Sequence, residues 1–400
     1  MNDVGRPPIR SNNVKSSSLK IAINTRFLLP DRPLEGLGRY THDLCRELVR
    51  QHPKDEFLFL FDRPFDPEHV FADHVTPLVL RPPARDPVTW LMWFEGSVKR
   101  ALERHRVDVF FSPDNYGVLR SSVPQVVVCH DLGYEHFPEQ VPLKGRYFYP
   151  FFFPKYLKKA DAVVAISTSV QQDLVTHYRL PEQKITVVPN GYRGGFHPMT
   201  DATVQQFRRL QTGGAPYFFY VGAIQPRKNL TRLVRAFDTF KTHTGSNTKL
   251  VIGGRMAWKT GRLREAIEHS EYRTDILLPG FISDAELPEW MAAARAFVYP
   301  SLFEGFGLPL LEAMHAEVPV LTSNVSSLPE VAGRAALLIQ PDSTEDIARG
   351  LAELDQNAPL RAELVERGRE QRTRFSWARA AETVYEVLRR AVDGSSPEPS

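Results

Sequence analysis

Tyr217-Phe218-Phe219-Tyr220-Val221-Gly222-Ala223-Ile224-Gln225-Pro226-Arg227-Lys228-Asn229-Leu230 is the stretch on which the fold turns. It opens apolar throughout, which suits a parallel strand covered on both faces. A glycine ends the strand, and helical spacing follows from Leu230 to Thr242. Strand, glycine turn and helix open a βα unit, and this one starts afresh after a looser stretch at 193–216. Downstream, Lys249 to Gly254, Ile276 to Leu278, Ala296 to Tyr299 and Val318 to Leu321 repeat the strand pattern. Upstream, Leu19 to Asn24, Phe57 to Phe61, Val107 to Phe111, Gln125 to Cys129, Ala162 to Ile166 and Ile185 to Val188 do the same. Helical patterns lie between several of these, as at Gly38 to Arg50 and Thr168 to His177. The alternation implies an α/β chain of two doubly wound, Rossmann-like domains with a cleft between them. The expected divisions are a tail over 1–18, an N-terminal domain over 19–198, a C-terminal domain over 199–374, a terminal helix over 375–392 and a tail over 393–400.

Composition narrows the class without naming it. Of 400 residues, 42% are hydrophobic and 24% charged, which excludes a disordered, coiled-coil or collagen-like chain. Two cysteines, Cys45 and Cys129, are too few for a disulfide framework or a structural zinc site. Fifty basic against 47 acidic residues leave a formal +3, so nucleic acid is not expected as a partner. No apolar run approaches the ~18 residues of a membrane span. The longest, Tyr147 to Leu157, is interrupted by Pro150, Pro154 and Lys155. The polar N-terminus lacks the apolar region of a signal peptide, so a cytoplasmic protein is expected. The 32 prolines gather at joints such as Pro189, Pro226, Pro300 and Pro309. Pro77, Pro82, Pro83 and Pro87 mark an irregular stretch expected to face an acceptor.

Open parallel sheets bind ligands at the carboxyl ends of their strands, and four motifs stand there. In Gly36-Leu37-Gly38-Arg39-Tyr40 the glycines let backbone N–H groups approach an anion. Thr41 occupies the place where a dinucleotide fingerprint needs its third glycine, which disfavours an NAD site. Arg227 and Lys228 supply a guanidinium fork and a point charge, a plausible diphosphate clamp. Cations at the positive end of a helix dipole are unfavourable unless an anion joins them. The most specific motif runs from Tyr299 to Ala313: Glu304 lies in a glycine-bearing turn and Glu312 about one turn into the next helix. Free N–H groups near Phe306, Gly307 and Leu308 are open to a phosphate or sugar oxygen. After a buried strand comes His130-Asp131-Leu132-Gly133-Tyr134, in which Asp131 is suited to fix the His130 tautomer. No Asp-x-Asp pair occurs. The two cations can supply the charge that such a pair would gather through a metal, so no metal is expected.

These motifs, with Ala165-Ile166-Ser167-Thr168-Ser169 and Pro189-Asn190-Gly191, resemble family 4 of the retaining glycosyltransferases, which have the GT-B fold. The resemblance runs from about residue 19 to 392, and Glu304 and Glu312 match the family's E-x7-E motif. It implies that Arg227 and Lys228 neutralise a departing diphosphate and that Glu304 and Gly305, with the amides of Phe306, Gly307 and Leu308, meet the sugar. It further implies that Glu312 holds the ribose, that Ile282 packs near the base, and that Gly38 and Gly222 approach the donor. His130 would hydrogen-bond the sugar near the reacting carbon, and Gly36, Arg39 and Tyr134 would lie on the acceptor side. The implied reaction is front-face substitution with the leaving diphosphate accepting the acceptor's proton, and it needs no cofactor. The segment at Phe375-Ser376-Trp377 resembles the point where the chain crosses back, so the terminal helix would rest on the N-terminal domain. Tyr192 departs from the family's usual small aliphatic residue.

Residues 130–139 resemble bacterial mannosyltransferases of polysaccharide assembly. That makes GDP-mannose the first choice of donor, ahead of UDP-glucose, with a glycan or lipid-linked saccharide as acceptor. A UDP-sugar epimerase and a non-catalytic nucleotide-sugar-binding protein share the fold. A glycosidase using the two glutamates would leave the cation pair without a purpose. Finally, Lys144, Arg146, Lys155, Lys158 and Lys159, interleaved with seven aromatics and no acid, suit peripheral contact with anionic lipid at the inner face of a membrane. The competing reading makes the aromatics core and the lysines their solvated rim.

Overall fold

A computed structural model of the chain describes residues 18–29, 34, 36–255 and 261–394. Of the expected tails, only Ser18, Asp393 and Gly394 fall within the described residues. Among the described residues, thirteen strands form two all-parallel sheets. In the first, β1 (Lys20–Asn24), β2 (Glu56–Phe61), β3 (Val75–Val79), β4 (Val109–Ser112), β5 (Gln125–Cys129), β6 (Ala162–Ala165) and β7 (Ile185–Val187) run in the order β3-β2-β1-β4-β5-β6-β7. In the second, β8 (Tyr217–Val221), β9 (Lys249–Gly253), β10 (Ile276–Gly280), β11 (Ala296–Tyr299), β12 (Val320–Ser323) and β13 (Ala336–Ile339) run β10-β9-β8-β11-β12-β13. Each sheet is doubly wound, as the continuous apolar runs require. Ile21, Phe57, Val127, Phe218, Val251 and Phe297 are all fully buried, so both faces of the central strands are covered.

In such sheets the strand order reverses at a switch point, where a crevice opens beyond the carboxyl ends. The orders above put these points between β1 and β4 in the first sheet and between β8 and β11 in the second. The loops after β8 and β11 carry the Arg-Lys pair and Glu304.

The final helix, Trp377–Asp393, returns to the first sheet and lies against the helix Leu37–Gln51. Gln51 Nε2 donates to the Ala378 carbonyl at 3.0 Å, His52 stacks on Tyr385 at 3.4 Å, and Tyr40 meets Trp377 edge-on at 5.4 Å.

Three local expectations are corrected. The proline-marked stretch is irregular at Pro82 and Pro83, as expected, but regular at its two ends. Pro77 lies inside β3, an edge strand where the missing N–H breaks no central ladder bond, and Pro87 opens the helix Pro87–Met92, capped by the Asp86 side chain. The looser stretch at 193–216 contains the helix Asp201–Thr212, whose N-cap Thr200 accepts from the Thr203 N–H. The apolar run at 147–157 is not interrupted by its prolines: the helix Leu143–Lys159 passes through Pro150 and Pro154. Among the described residues, no helix is long and apolar enough to cross a membrane.

Candidate functional site

Pro226 starts a tight turn, Pro226–Lys228, after β8, and Asn229 takes a left-handed conformation (φ 63°) before the helix Leu230–Thr244. That turn is pinned to the loop after β11: Leu302 N donates to Arg227 O at 2.8 Å, and Asn229 Nδ2 donates to Pro300 O at 3.1 Å. The pinning turns both cations inward. Lys228 is 6% exposed, so it is no solvated residue at a helix end. Its Nζ donates to Tyr299 Oη at 2.7 Å and to Glu304 Oε1. Arg227 Nη1 donates to the Phe303 carbonyl at 2.9 Å and lies 3.2 Å from Glu304 Oε2. Two cations therefore share one carboxylate within hydrogen-bond reach.

Burial by itself would raise the Glu304 pKa, but Lys228 and Arg227 outweigh it and hold the carboxyl below the ordinary range. Burial pulls Lys228 below the usual lysine value against the pull of Glu304. For Arg227, burial is outweighed by Glu304 and its pKa is raised. Glu304 is thus held as a carboxylate between the two basic side chains.

The turn holding Glu304 is braced from the loop after β12, a feature with no motif signal. Glu304 N donates to Ser326 Oγ at 3.1 Å, and Ser327 Oγ lies 2.9 and 2.8 Å from the carbonyls of Glu304 and Phe306. Gly305 then touches the other domain. A Cβ there would fall 2.0 Å from the His130 carbonyl oxygen, so only glycine permits the approach. Ser167 Oγ donates to the Gly305 carbonyl at 2.8 Å from the same side. Gly307 (φ 109°) leads into the helix Leu308–His315, in which Pro309 has no N–H to satisfy and Leu310 N donates to the Gly307 carbonyl at 3.0 Å. Phe306 is buried at this bend.

His130 faces this loop from the end of β5. Its Nε2 lies 2.8 Å from the Pro113 carbonyl, which can only accept, so Nε2 carries the hydrogen and Nδ1 is left as an acceptor. Burial lowers the ring's pKa, which keeps it neutral. Asp131 does not set the tautomer as expected: its Oδ1 accepts the Gly133 N–H at 2.9 Å.

Glu312 is 8% exposed and 3.3 Å from Arg193 Nε. Burial raises its pKa despite Arg193. Arg193 and Arg39 both reach Asp284, each at 2.6 Å, so Arg39 closes an ion pair between the domains. Arg193 and Asp284 are single residues that no motif marks. Ile282 is buried, and a Cβ on Gly253 would meet its Cδ1 at 2.6 Å. Gly222 (φ 150°) lies under Gly254, where a Cβ would strike the Gly222 carbonyl oxygen at 1.9 Å. Gly36 caps the helix Leu37–Gln51 at φ 47°, and a Cβ on Gly38 would sit 2.8 Å from the Phe27 carbonyl oxygen. Tyr134 is turned away from this gathering, its hydroxyl bonded to Tyr178, which donates to Glu135 at 2.8 Å.

A second polar cluster occupies the switch point of the first sheet, and sequence reading passed over it. Asp114, 1% exposed, accepts from Asn24 Nδ2 at 3.1 Å, Ser112 Oγ at 2.9 Å and Arg26 Nη2 at 3.0 Å. The Arg26 guanidinium lies over the rings of Phe27 and Tyr116, at 4.3 and 4.7 Å. The available signal was topological: polar residues following β1 and β4, the strands that flank the reversal.

Residues 34–193 match the family described as Glycosyltransferase Family 4, and residues 202–371 match Glycosyl transferases group 1. The chain is 30% identical over 360 residues to the O-antigen chain mannosyltransferase B of Escherichia coli, covering 86% of this chain and 93% of that protein. It is 28% identical over 284 residues to the serotype-specific mannosyltransferase WbdA of the same species, covering 68% of this chain and 34% of that protein. Among solved structures, sucrose-phosphate synthase from Thermosynechococcus elongatus superposes with a TM-score of 0.74 at 19% identity, over 94% of this chain and all (100%) of that one. Anabaena HepE in complex with UDP and glucose gives 0.71 at 16% identity, over 93% and 99% of the two chains.

Proposed function

We propose a reaction for this chain from one premise: it belongs to family 4 of the glycosyltransferases and has the GT-B fold. It transfers mannose from GDP-mannose, with retention of configuration, to a glycan or lipid-linked saccharide. The observation that carries this reading is the buried Lys228 and the half-buried Arg227 sharing the single carboxylate of Glu304 at the switch point of the second sheet. As the bond from C1 to the diphosphate breaks, charge builds on the leaving oxygen, and Arg227 and Lys228 are preorganised to meet it. That oxygen accepts the proton of the attacking hydroxyl on the same face. Glu304 accepts from sugar hydroxyls while tying the cations in place. The Nδ1 of neutral His130 accepts from a further hydroxyl. Glu312 receives the ribose hydroxyls, and Arg26 with Asp114 forms part of the wall facing the acceptor.

Two protein cations on the diphosphate leave no electrostatic need for a metal in the transfer. The mannosyl assignment is supported by the mannosyltransferases to which the chain is similar. Contact with a membrane is supported by the helix Leu143–Lys159, where Leu143, Tyr147 and Phe151, spaced by four residues, are 68%, 76% and 56% exposed. Lys155 lies 3.3 Å over the Phe151 ring, whereas Phe153, Tyr156 and Leu157 are core. One side of this helix is thus packed, and an apolar and basic stripe is left to rest on anionic lipid from the cytoplasmic side.

The test is a transfer assay with GDP-mannose and UDP-glucose in parallel, a lipid-linked saccharide acceptor and excess chelator, with anomeric configuration read by NMR. An α-mannosyl product from the α-linked donor is expected, at a rate the chelator leaves unchanged. Transfer from UDP-glucose alone, inversion, or release of free epimerised sugar would overturn the corresponding part of the proposal.

A further inference from the structure

Away from the cation pair, one group of histidine and carboxylate atoms converges among the described residues: His136, Asp173 and His177. His136 ends the short helix Gly133–His136, while Asp173 and His177 lie four residues apart on the helix Thr168–Tyr178 and so share a face. His136 Nε2 is 2.8 Å from Asp173 Oδ2, and His177 Nε2 is 3.9 Å from Asp173 Oδ1. All three ligand atoms lie within 4.8 Å of one another. Ligands at about 2.0–2.2 Å from a common ion stand no more than ~4.4 Å apart, so a small rotation brings the set to bonding distance. The side chains are 31%, 16% and 35% exposed, which leaves solvent room to complete a coordination shell.

We propose that His136, Asp173 and His177 bind a divalent transition-metal ion of the zinc or cobalt class. Two imidazoles and one carboxylate suit such ions, whereas magnesium and calcium take oxygen ligands. The ion replaces the His136–Asp173 hydrogen bond with bonds from two separate elements and so clips the Gly133–His136 turn to the longer helix. The turn matters because the His136 ring lies 4.5 Å from the Phe303 ring, and Phe303 immediately precedes Glu304. The ion is a structural clip within the N-terminal domain, on the wall that faces Phe303, and makes no bond to the transferred sugar.

The test is titration of the full chain with cobalt chloride, read by visible absorption. One equivalent should bind with d–d bands that zinc then bleaches. His177→Ala and Asp173→Asn should each abolish the bands, while His243→Ala, outside the cluster, should retain them. Circular dichroism matching the unsubstituted chain would show that each variant is folded, and the two different substitutions guard against a loss caused by misfolding of one. Absence of bands in the unsubstituted chain, persistence of the bands in either cluster variant, or their loss in His243→Ala would overturn the proposal.

Discussion

Replacing Lys228 with alanine removes the Nζ that bonds both Glu304 and Tyr299. Stability and rate respond differently. Glu304 is not orphaned, because Arg227 Nη1 remains 3.2 Å away. The loss of stability therefore falls below the about 3–5 kcal/mol seen when a buried charge loses its only partner. It lies nearer the ~1.5–3 kcal/mol of a hydrogen bond to a charged group. The rate has no such reserve, since a diphosphate that leaves against Arg227 alone loses one of its two preorganised donors. Removal of one such donor costs about 10²–10³ in kcat, or about 2.7–4 kcal/mol of transition-state stabilisation. Initial rates over a range of donor concentrations, with a urea melt of the same preparation, separate the two effects. A folded variant with kcat down by about 10² or more and a much smaller change in donor KM is expected. Lys228→Arg should not rescue it, because a planar fork does not fit the closed space between Tyr299 and Glu304. Near-normal turnover would refute the reasoning. So would a raised KM at unchanged kcat, since that marks binding shared equally by ground and transition states.

Glu312, held above the ordinary carboxylate pKa by burial, begins to lose its charge at a higher pH than a free glutamate on acidification. Calorimetry should show GDP binding weakening as pH falls from neutral into the mildly acidic range, and Glu312→Gln should bind about tenfold more weakly with that dependence gone; an unchanged profile in the variant would assign the titration elsewhere. Glu304 has the opposite sign: its depressed pKa contributes stability above the unfolded carboxyl value, and that stability is lost as pH falls through the folded value. Urea midpoints should therefore drop on acidification more steeply for the unsubstituted chain than for Glu304→Gln, and parallel curves would contradict a Glu304 held as carboxylate. Gly305→Ala places a Cβ 2.0 Å from the His130 carbonyl oxygen, so the domains must part. Small-angle scattering should report a larger radius of gyration and kcat should fall by about 10², with each domain still folded; unchanged scattering would show that the loop yields instead. Phe151→Glu puts an acid into the exposed stripe of the helix Leu143–Lys159, and flotation with anionic vesicles should lose the bound fraction while transfer to a soluble acceptor persists.

What was legible follows from how locally each feature is encoded. Strands such as β5 and β8 are continuous apolar runs, and burial on both faces leaves no other pattern open to them. The donor loops are similarly local: Pro226, Arg227, Lys228 and Asn229 form one turn, and Glu304 to Leu308 form one bend. Of the four edge strands, β7 and β10 are legible and two are not. β3 holds a proline, and β13 is short and only partly covered, so neither stands out from a loop. The helix Asp201–Thr212 hides because its apolar positions are few and one of them, Leu210, is 75% exposed. The interdomain partners were out of reach for another reason. Arg39, Arg193 and Asp284 are ordinary surface types in sequence, and they meet only because two sheets face each other. Asn24 and Asp114 are 90 residues apart, and only the strand order β1-β4 makes them neighbours.

The same division has a mechanical consequence. The donor cluster is anchored within one domain, whereas the ties across the cleft are a different kind of contact. Arg39 and Arg193 meet a half-exposed Asp284, Arg193 also reaches Glu312 at 3.3 Å, the Thr168 N–H and hydroxyl meet Glu330 at 2.9–3.0 Å, and Ser167 reaches the Gly305 carbonyl. Exposed ion pairs contribute about 0–1 kcal/mol each and neutral hydrogen bonds about 0.5–1.5, so opening the cleft costs only a few kcal/mol along this seam. Breaking the Lys228–Glu304–Arg227 cluster costs more, because Lys228 and Glu304 are buried. Opening therefore separates the domains before it disturbs the donor site. On the proposed donor assignment, a diphosphate bridging the cations on one side and the Gly38 loop on the other would tip this shallow equilibrium toward closure. The sharp steric fit of Gly305 on His130 would then limit how far closure goes and, on that assignment, set the register in which acceptor and donor meet.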